Sequence, residues 1–516
     1  MKTYGTKDIR NISLIGHSAS GKSSLAEAMI YTSGVTNRMG KVEDGNMKSD
    51  YLEDEISRQI SIGTSLLQIE WEEKKLNIVD TPGYADFVGE VISGLRAVDA
   101  AVLLVDAVSG LEVGTETSAE LCKKYDKPVF IIINRIGKEH ADLDKVVNSL
   151  KNRFGIKALP IQIPVNPGIG FNKIVDIVSM KEYTYDIDGK GKGKTGDITG
   201  DLGSKAEEMH EKLIEAAAES DDTLMEKYFE SGLTPEEIGT GLKKAIQNRT
   251  LFPVLFTDAL TNVGVDLLMK LLAGSAPSPA DIPDIVGKKG KTEIELKASD
   301  DAPLSMLVFK TIVEQHMGEL SLFRIFSGSY KTGDEIYNSN RSSSEKATVI
   351  FNLIGKDRVE VPSLSAGDMG TFVKMKNTKT GDTLCSKQMP IELPPLEFLE
   401  PVMDVAVRPL QKGEEDKVSQ GLLKLHDEDP SFISRTDSEL KQIILEGLGG
   451  LHIDVIIDRF KRKFGIDVEL KPPKIPYRET ITGKSDEKYR YKKQTGGHGQ
   501  YGEVYFRMEP LPRGKG

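Results

Sequence analysis

Lys22 and Ser23 close the octapeptide Gly16-His17-Ser18-Ala19-Ser20-Gly21-Lys22-Ser23, and Asp80 opens a second short motif, Asp80-Thr81-Pro82-Gly83. An amine, a hydroxyl and a carboxylate at these places suit the handling of a polyphosphate and a divalent cation. In the first motif, glycines let backbone N–H groups curl around phosphate oxygens, and the helix start that follows adds its positive dipole end. Lys22 is expected to reach the outer phosphates and the Ser23 hydroxyl to sit on Mg2+. Asp80 is expected to hold the metal's shell through water, and the Gly83 N–H to sense a γ-phosphate. The plainer alternative for each motif is a turn: Gly/Ser in the first, an Asp-Pro-Gly type in the second.

Elements must bring these groups together. Apolar runs precede both motifs, and strands are expected at 11–15, 76–80, 100–106, 129–134 and 253–258. Short strands alternating with helical periods argue for a parallel sheet with helices on both faces. Residues 50–62, charged and polar, read as a segment that bound nucleotide would order. Within this first domain, residues 1–282, the stretch 157–250 reads as an insertion; its Gly189–Lys194 run is expected to form an exposed hairpin tip or loop. The segment from Pro277 to about 302 is polar and linker-like. Residues 300–395 alternate strands with turn signals, a β-barrel pattern. Residues 398–475 read strand, helix, strand, strand, helix, strand, the ferredoxin-like order.

The chain has 516 residues, a net charge of −11 and two distant cysteines, Cys122 and Cys385, which indicate neither a disulfide framework nor a cysteine metal site. No signal peptide or apolar run of ~18 residues stands out, so a cytoplasmic protein without membrane contact is expected. Residues 471–516 differ from the rest: 11 Lys and Arg stand against 5 Asp and Glu, interleaved with Tyr477, Tyr489, Tyr491, Tyr501 and Tyr505. Such a mixture suits RNA, through phosphate contacts and base stacking, or forms a solvated strand face. His452 is expected to be a packing or surface histidine, and His498 to decorate a strand turn.

Taken together, the phosphate loop, Arg58-Gln59-Ile60-Ser61-Ile62 and Asp80-Thr81-Pro82-Gly83-Tyr84-Ala85-Asp86-Phe87 resemble the elongation factor G family of translational GTPases. Glu428-Asp429-Pro430-Ser431-Phe432 and Gly447-Leu448-Gly449-Gly450-Leu451-His452 resemble its third domain. Tyr477-Arg478-Glu479-Thr480-Ile481 and Gln494-Thr495-Gly496-Gly497-His498-Gly499-Gln500-Tyr501-Gly502 resemble the entry to its fourth. The resemblance implies a multidomain α/β and β fold: a P-loop GTPase domain with an inserted subdomain, a β-barrel, a ferredoxin-like α+β domain and, at 476–516, the start of a fourth domain. It implies GTP or GDP with Mg2+, the ribosome as partner, and a monomer. Members carry a complete fourth domain and a fifth, so a fragment or a truncated product is expected.

The resemblance assigns nucleotide contacts to Gly16 through Ser23, to Asp80 and Gly83, to Asn134, Arg135 and Gly137 in place of N-K-x-D, and to Asp258, Ala259 and Leu260 in place of S-A-[LF]. It assigns the metal to Ser23, Ser61 and Asp80, and catalysis to Lys22 and Tyr84. Several positions depart from the family. Ala19 replaces the loop's Asp, Ser61 the metal-binding Thr, and Tyr84 the His that helps position the attacking water. A phenol cannot share imidazole's proton chemistry near neutral pH. Tyr84 places the chain nearest the branch called elongation factor G-like. Gly137 lacks the carboxylate that reads guanine, so weaker guanine preference is expected, with Gly137→Asp widening it; Asp142 or Asp144 could substitute by rerouting the loop. The Ala259 N–H is expected to meet the guanine oxygen. The alternative function is a ribosome-associated factor that holds nucleotide and turns it over poorly.

Overall fold

The computed structural model describes residues 2–187, 189–314 and 318–515. Its first part is an α/β layer. Strands β1 (Ile9–Gly16), β2 (Ser65–Trp71), β3 (Lys74–Asp80), β4 (Ala100–Asp106) and β5 (Val129–Asn134) alternate with helices α1 (Lys22–Thr32), α2 (Glu53–Arg58), α3 (Val88–Ala97), α4 (Val113–Lys124) and α5 (Leu143–Phe154). After β6 (Ala158–Pro160) come β7 (Gln162–Pro164), β8 (Lys173–Asp176), β9 (Lys181–Thr184) and β10 (Lys194–Gly196). Helices α6 (Leu202–Ala218), α7 (Asp222–Ser231) and α8 (Pro235–Gln247), strand β11 (Phe252–Phe256) and helix α9 (Val265–Ser275) complete the part.

The main sheet runs β2-β3-β1-β4-β5-β11-β6 and is parallel except for β2, which pairs antiparallel with β3. β1, β4 and β5 are buried at every residue, as central strands covered on both faces must be. The sequence reading did not foresee β2. It also placed all of 157–250 outside the layer, whereas β6 pairs with β11 inside it. Strands β7 to β10 form a separate antiparallel sheet, and the Gly/Lys run lies between β9 and β10, as expected of a hairpin connection.

The stretch read as a linker holds a hairpin, Ile285–Lys289 with Thr292–Leu296. Ile285, Ile294 and Leu296 pack with Ile391 and Leu393, and this burial turns a polar stretch into strands. The antiparallel strands of the barrel follow, from Ser305–Glu314 to Thr383–Cys385. Phe323 stacks on Phe372 in its core, with centroids 4.0 Å apart. One barrel strand runs over Ile350–Ile354, and Ala347 packs into the core ahead of it. Its last residue bridges to Leu67 of β2, joining barrel and layer in one hydrogen-bonded sheet.

A buried polar seam reinforces that junction. Lys75 Nζ lies 2.8 Å from Asp368 Oδ2 and donates to Asn352 Oδ1 at 3.1 Å, with the Lys75 and Asp368 side chains 1% and 3% exposed. Asn77 donates to Asp368 and Asn11, Asn11 donates to Asp99 and the Gly367 carbonyl, and Arg324 pairs with Asp99 at 2.5 Å.

Residues beyond 400 form an antiparallel sheet, Ile433–Asp437, Gln442–Gly447, Met403–Pro409 and Val468–Lys471 in spatial order, covered by α10 (Glu415–His426) and α11 (Gly450–Phe464). That is the ferredoxin-like order. A long hairpin, Ser485–Thr495 with His498–Met508, completes the described chain.

Candidate functional site

The phosphate loop leaves β1 at Gly16 and enters α1 at Lys22. Gly21 adopts φ +94° as the α1 cap, and a Cβ there would lie 2.3 Å from Asn134 Nδ2, so this position needs glycine. Lys22 is buried, and its Nζ donates to the Gly16 and His17 carbonyls at 3.1 and 2.8 Å. Burial pulls its pKa down to about 8 against the attraction of Asp80 and Asp50. His17 Nδ1 accepts from Gly114 N at 3.2 Å. Ser18 and Ala19 form the outer curve, with Ala19 at φ +58°. The Ser20 hydroxyl is buried with no hydrogen-bond partner among the described residues.

Oxygen atoms gather beside Lys22. Ser23 Oγ is 2.9 Å from Ser61 Oγ, and Ser61 donates to Asp50 Oδ2 at 3.0 Å. Asp80 is buried, and its Oδ1 has no hydrogen-bond partner among the described residues. Burial pushes the Asp50 carboxyl up to about 6 and, together with repulsion from Asp50, the Asp80 carboxyl up to about 7. Two hydroxyls and two carboxylates, one of them with an orphaned oxygen, are the hard donors that Mg2+ takes, completed by water. Among the described residues no group of three or more His, Cys, Asp or Glu is placed to hold a metal ion. The sequence reading missed the placement of Asp50, which sits at the end of a stretch with no motif.

Buried carboxylates hold residues 40–63 in place. Glu27 of α1 accepts from the backbone N–H groups of Gly40, Lys48 and Ser49. Glu55 of α2 accepts from Ile62 and Gly63 through one oxygen and from Leu52 through the other, and burial raises its carboxyl to about 8. Gly83 packs on the loop: a Cβ there would lie 2.4 Å from Lys22 Nζ and 2.6 Å from Ser18 N. Tyr84 follows, 39% exposed, at the start of a short turn. That turn touches α11: Asp86 accepts from His452 N at 3.2 Å, and Phe87 packs with Ile62 and Val455. His452 is a satisfied core histidine, accepting from Leu448 N and lying 3.0 Å from Asp429.

At the far end of the loop Asn134 is fully buried. It donates to the Ser20 carbonyl at 2.9 Å and accepts from Ala259 N at 3.0 Å and Thr257 Oγ1 at 3.2 Å. The Ala259 N–H expected at the guanine oxygen is therefore engaged by Asn134. Arg135, at φ +67°, pairs with Asp106 at 3.2 Å. Asp258 Oδ2 accepts from Gly137 N at 2.9 Å, and Leu260 beside it is half exposed. Asp142 caps α5 by accepting from Lys145 N at 3.1 Å.

The family model of the elongation factor Tu GTP binding domain matches residues 7–278. Models of elongation factor G domain 2, domain III and domain IV match 303–387, 398–472 and 473–516. A crystal structure of a protein from Thermus thermophilus is similar over 98% of this chain and 73% of that one, at 29% identity and a TM-score of 0.85.

Proposed function

This chain belongs to the elongation factor Tu GTP binding domain family, and from that footing we propose that it is a ribosome-directed GTPase of elongation factor G type, coupling GTP hydrolysis to ribosome binding and a translocation-type step. The observation that carries the reading is one connected path. Lys22 and the oxygens of Ser23, Ser61, Asp50 and Asp80 stand at one end, and residues 50–62 run from them to α11 at the other. Backbone N–H groups of Gly16 through Ser23, with Lys22, would hold the phosphates, and Gly83 would register the outermost one. Ser23, Ser61, Asp50 and Asp80 would hold Mg2+, which supplies neutralisation of phosphate charge when bound. Asn134, Arg135, Gly137, Asp258, Ala259 and Leu260 form the base end.

The proposed domains are 1–282, 300–395, 398–475 and 476–516. The exposed hairpin at 485–508 supports ribosomal RNA as a contact, because Tyr489, Tyr491, Tyr501 and Tyr505 stand in water among cations. Among the described residues no helix is long and apolar enough to cross a membrane. A cytoplasmic, monomeric protein is part of this proposal.

Tyr84 favours a second reading, that of a nucleotide-holding ribosomal factor with little turnover, and supports placing the chain in the elongation factor G-like branch. Phosphate release measured with and without ribosomes separates the two. Stimulated release that disappears in Lys22→Ala supports the first reading; tight nucleotide binding with no stimulated release supports the second.

A further inference from the structure

Gly137 and Asp258 lie on two loops 121 residues apart, and their geometry is reciprocal. A Cβ built on Gly137 would fall 2.7 Å from Asp258 Oδ2 and 3.4 Å from its Cγ. The carboxylate of Asp258 thus fills the space that a side chain at 137 would need. It is held from both ends: Oδ2 accepts from Gly137 N at 2.9 Å and Oδ1 from Thr261 N at 3.2 Å. One backbone donor per oxygen fixes the plane of the group and leaves each oxygen another lone pair. Asp258 is 5% exposed, yet it lines a cavity of about 300 Å3 together with Arg135, Gly137, Lys138 and Leu260. A carboxylate that only capped its own turn would need the Thr261 contact and nothing across the cavity.

We infer that Asp258 is the base-reading carboxylate of this chain, accepting the adjacent N1–H and 2-amino donors of guanine from the opposite loop. The inference rests on the nucleotide-site reading above. Guanine presents two neighbouring donors on that edge, and a fixed carboxylate matches them as it matches the fork of arginine. Adenine presents no such pair. The glycine at 137 is then a requirement of the arrangement: a second carboxylate there would collide with the first and repel it. This reverses the expectation that Gly137→Asp widens guanine preference.

The test is equilibrium competition of GTP, inosine triphosphate, xanthosine triphosphate and ATP on the purified full chain and its variants. The parent is expected to prefer guanosine to inosine, which lacks the 2-amino group, by tenfold or more. Asp258→Asn keeps the shape but turns one acceptor into a donor, so it should lose guanine affinity at least tenfold and gain affinity for xanthosine, whose base carries an oxygen at C2. Gly137→Asp alone should weaken guanine binding, and Gly137→Asp with Asp258→Ser should recover it. A parent that binds guanosine and inosine alike overturns the inference without any variant. So does an Asp258→Asn protein that keeps its guanine affinity with no xanthosine gain. Lys22→Ala in the same assay should lose all four nucleotides together. A parent that binds none of them defeats the nucleotide-site reading itself.

Discussion

Arg459 of α11 donates from Nε to Asp54 Oδ2 of α2 at 2.6 Å, across 405 residues of sequence. Asp54 is buried, and burial alone would raise its carboxyl; Arg459, with Arg462 behind it, holds the carboxyl below the usual aspartate range instead. Arg58 with Asp458 and Glu53 with Arg462 flank this contact on the same two helices. The segment that carries Asp50 and Ser61 is thereby fastened to the ferredoxin-like part.

Removing the arginine strands a buried carboxylate. Arg459→Ala should cost near the lower end of about 3–5 kcal/mol, because Arg462 still neutralises part of the charge. Urea unfolding checks the magnitude, and hydrogen exchange over residues 50–62 should accelerate.

Acid should undo the same contact. Asp54 is depressed, and so is Asp429, where burial alone would raise the carboxyl but His452, Lys310 and Ser431 more than offset it. A depressed carboxylate contributes stability that is present above its unfolded pKa, about 3.9, and is lost as pH falls through its folded value. Protection of residues 50–62 is therefore expected not to fall between pH 7 and about 4, where the raised Asp50 and Glu55 carboxyls take up protons that the folded state favours, and to fall below that. Limited proteolysis across the range reads it.

Lys22→Ala should lower affinity for any nucleoside triphosphate by about a hundredfold or more, whatever the base. Two lost charge-assisted bonds at about 1.5 kcal/mol each give that factor. Isothermal titration with GTP measures it, and unchanged affinity would falsify the phosphate-loop assignment.

Tyr84→His should raise ribosome-stimulated turnover, toward the ~100-fold that a well-placed acid–base group contributes. Nucleotide affinity should stay level, since Tyr84 lies outside the loop that Lys22 and Gly83 close. A fast parent with no gain in the variant would count against the slow-turnover reading.

The parts of the site legible in the sequence were those in which spacing along the chain is itself the geometry. Gly16 to Ser23 follow one another round a single turn, and Asp80 ends its own strand, so local pattern sufficed. Asp50 reaches Ser61 because Glu55, between them, takes the backbone N–H groups of Leu52, Ile62 and Gly63 while Glu27 fixes Lys48 and Ser49 just ahead, and no local pattern encodes that. Gly137 reads as a loss from sequence alone, because the Asp258 carboxylate that fills the space beside it comes from a different loop. In the fold, the ferredoxin-like order was visible from its periodicity. β2 and the hairpin at 285–296 were not: the turn from β2 to β3 is made by Glu72 and Glu73 at positive φ with no glycine or asparagine to signal it, and the 285–296 hairpin is buried by Ile391 and Leu393, far along the chain.

The seam of Lys75, Asp368, Asn77, Asn11, Asp99 and Arg324 also decides how force can travel. Greasy faces can glide over one another, but directed bonds between buried groups have a single register, and parting them would leave charges in a dry interior. The α/β layer and the barrel therefore turn as one lever. The pairs of Arg58 with Asp458 and Glu53 with Arg462 stand partly in water, where salt weakens them. The α11 contact is thus anchored at its centre by the buried Asp54 carboxylate on Arg459, and salt loosens only its rim.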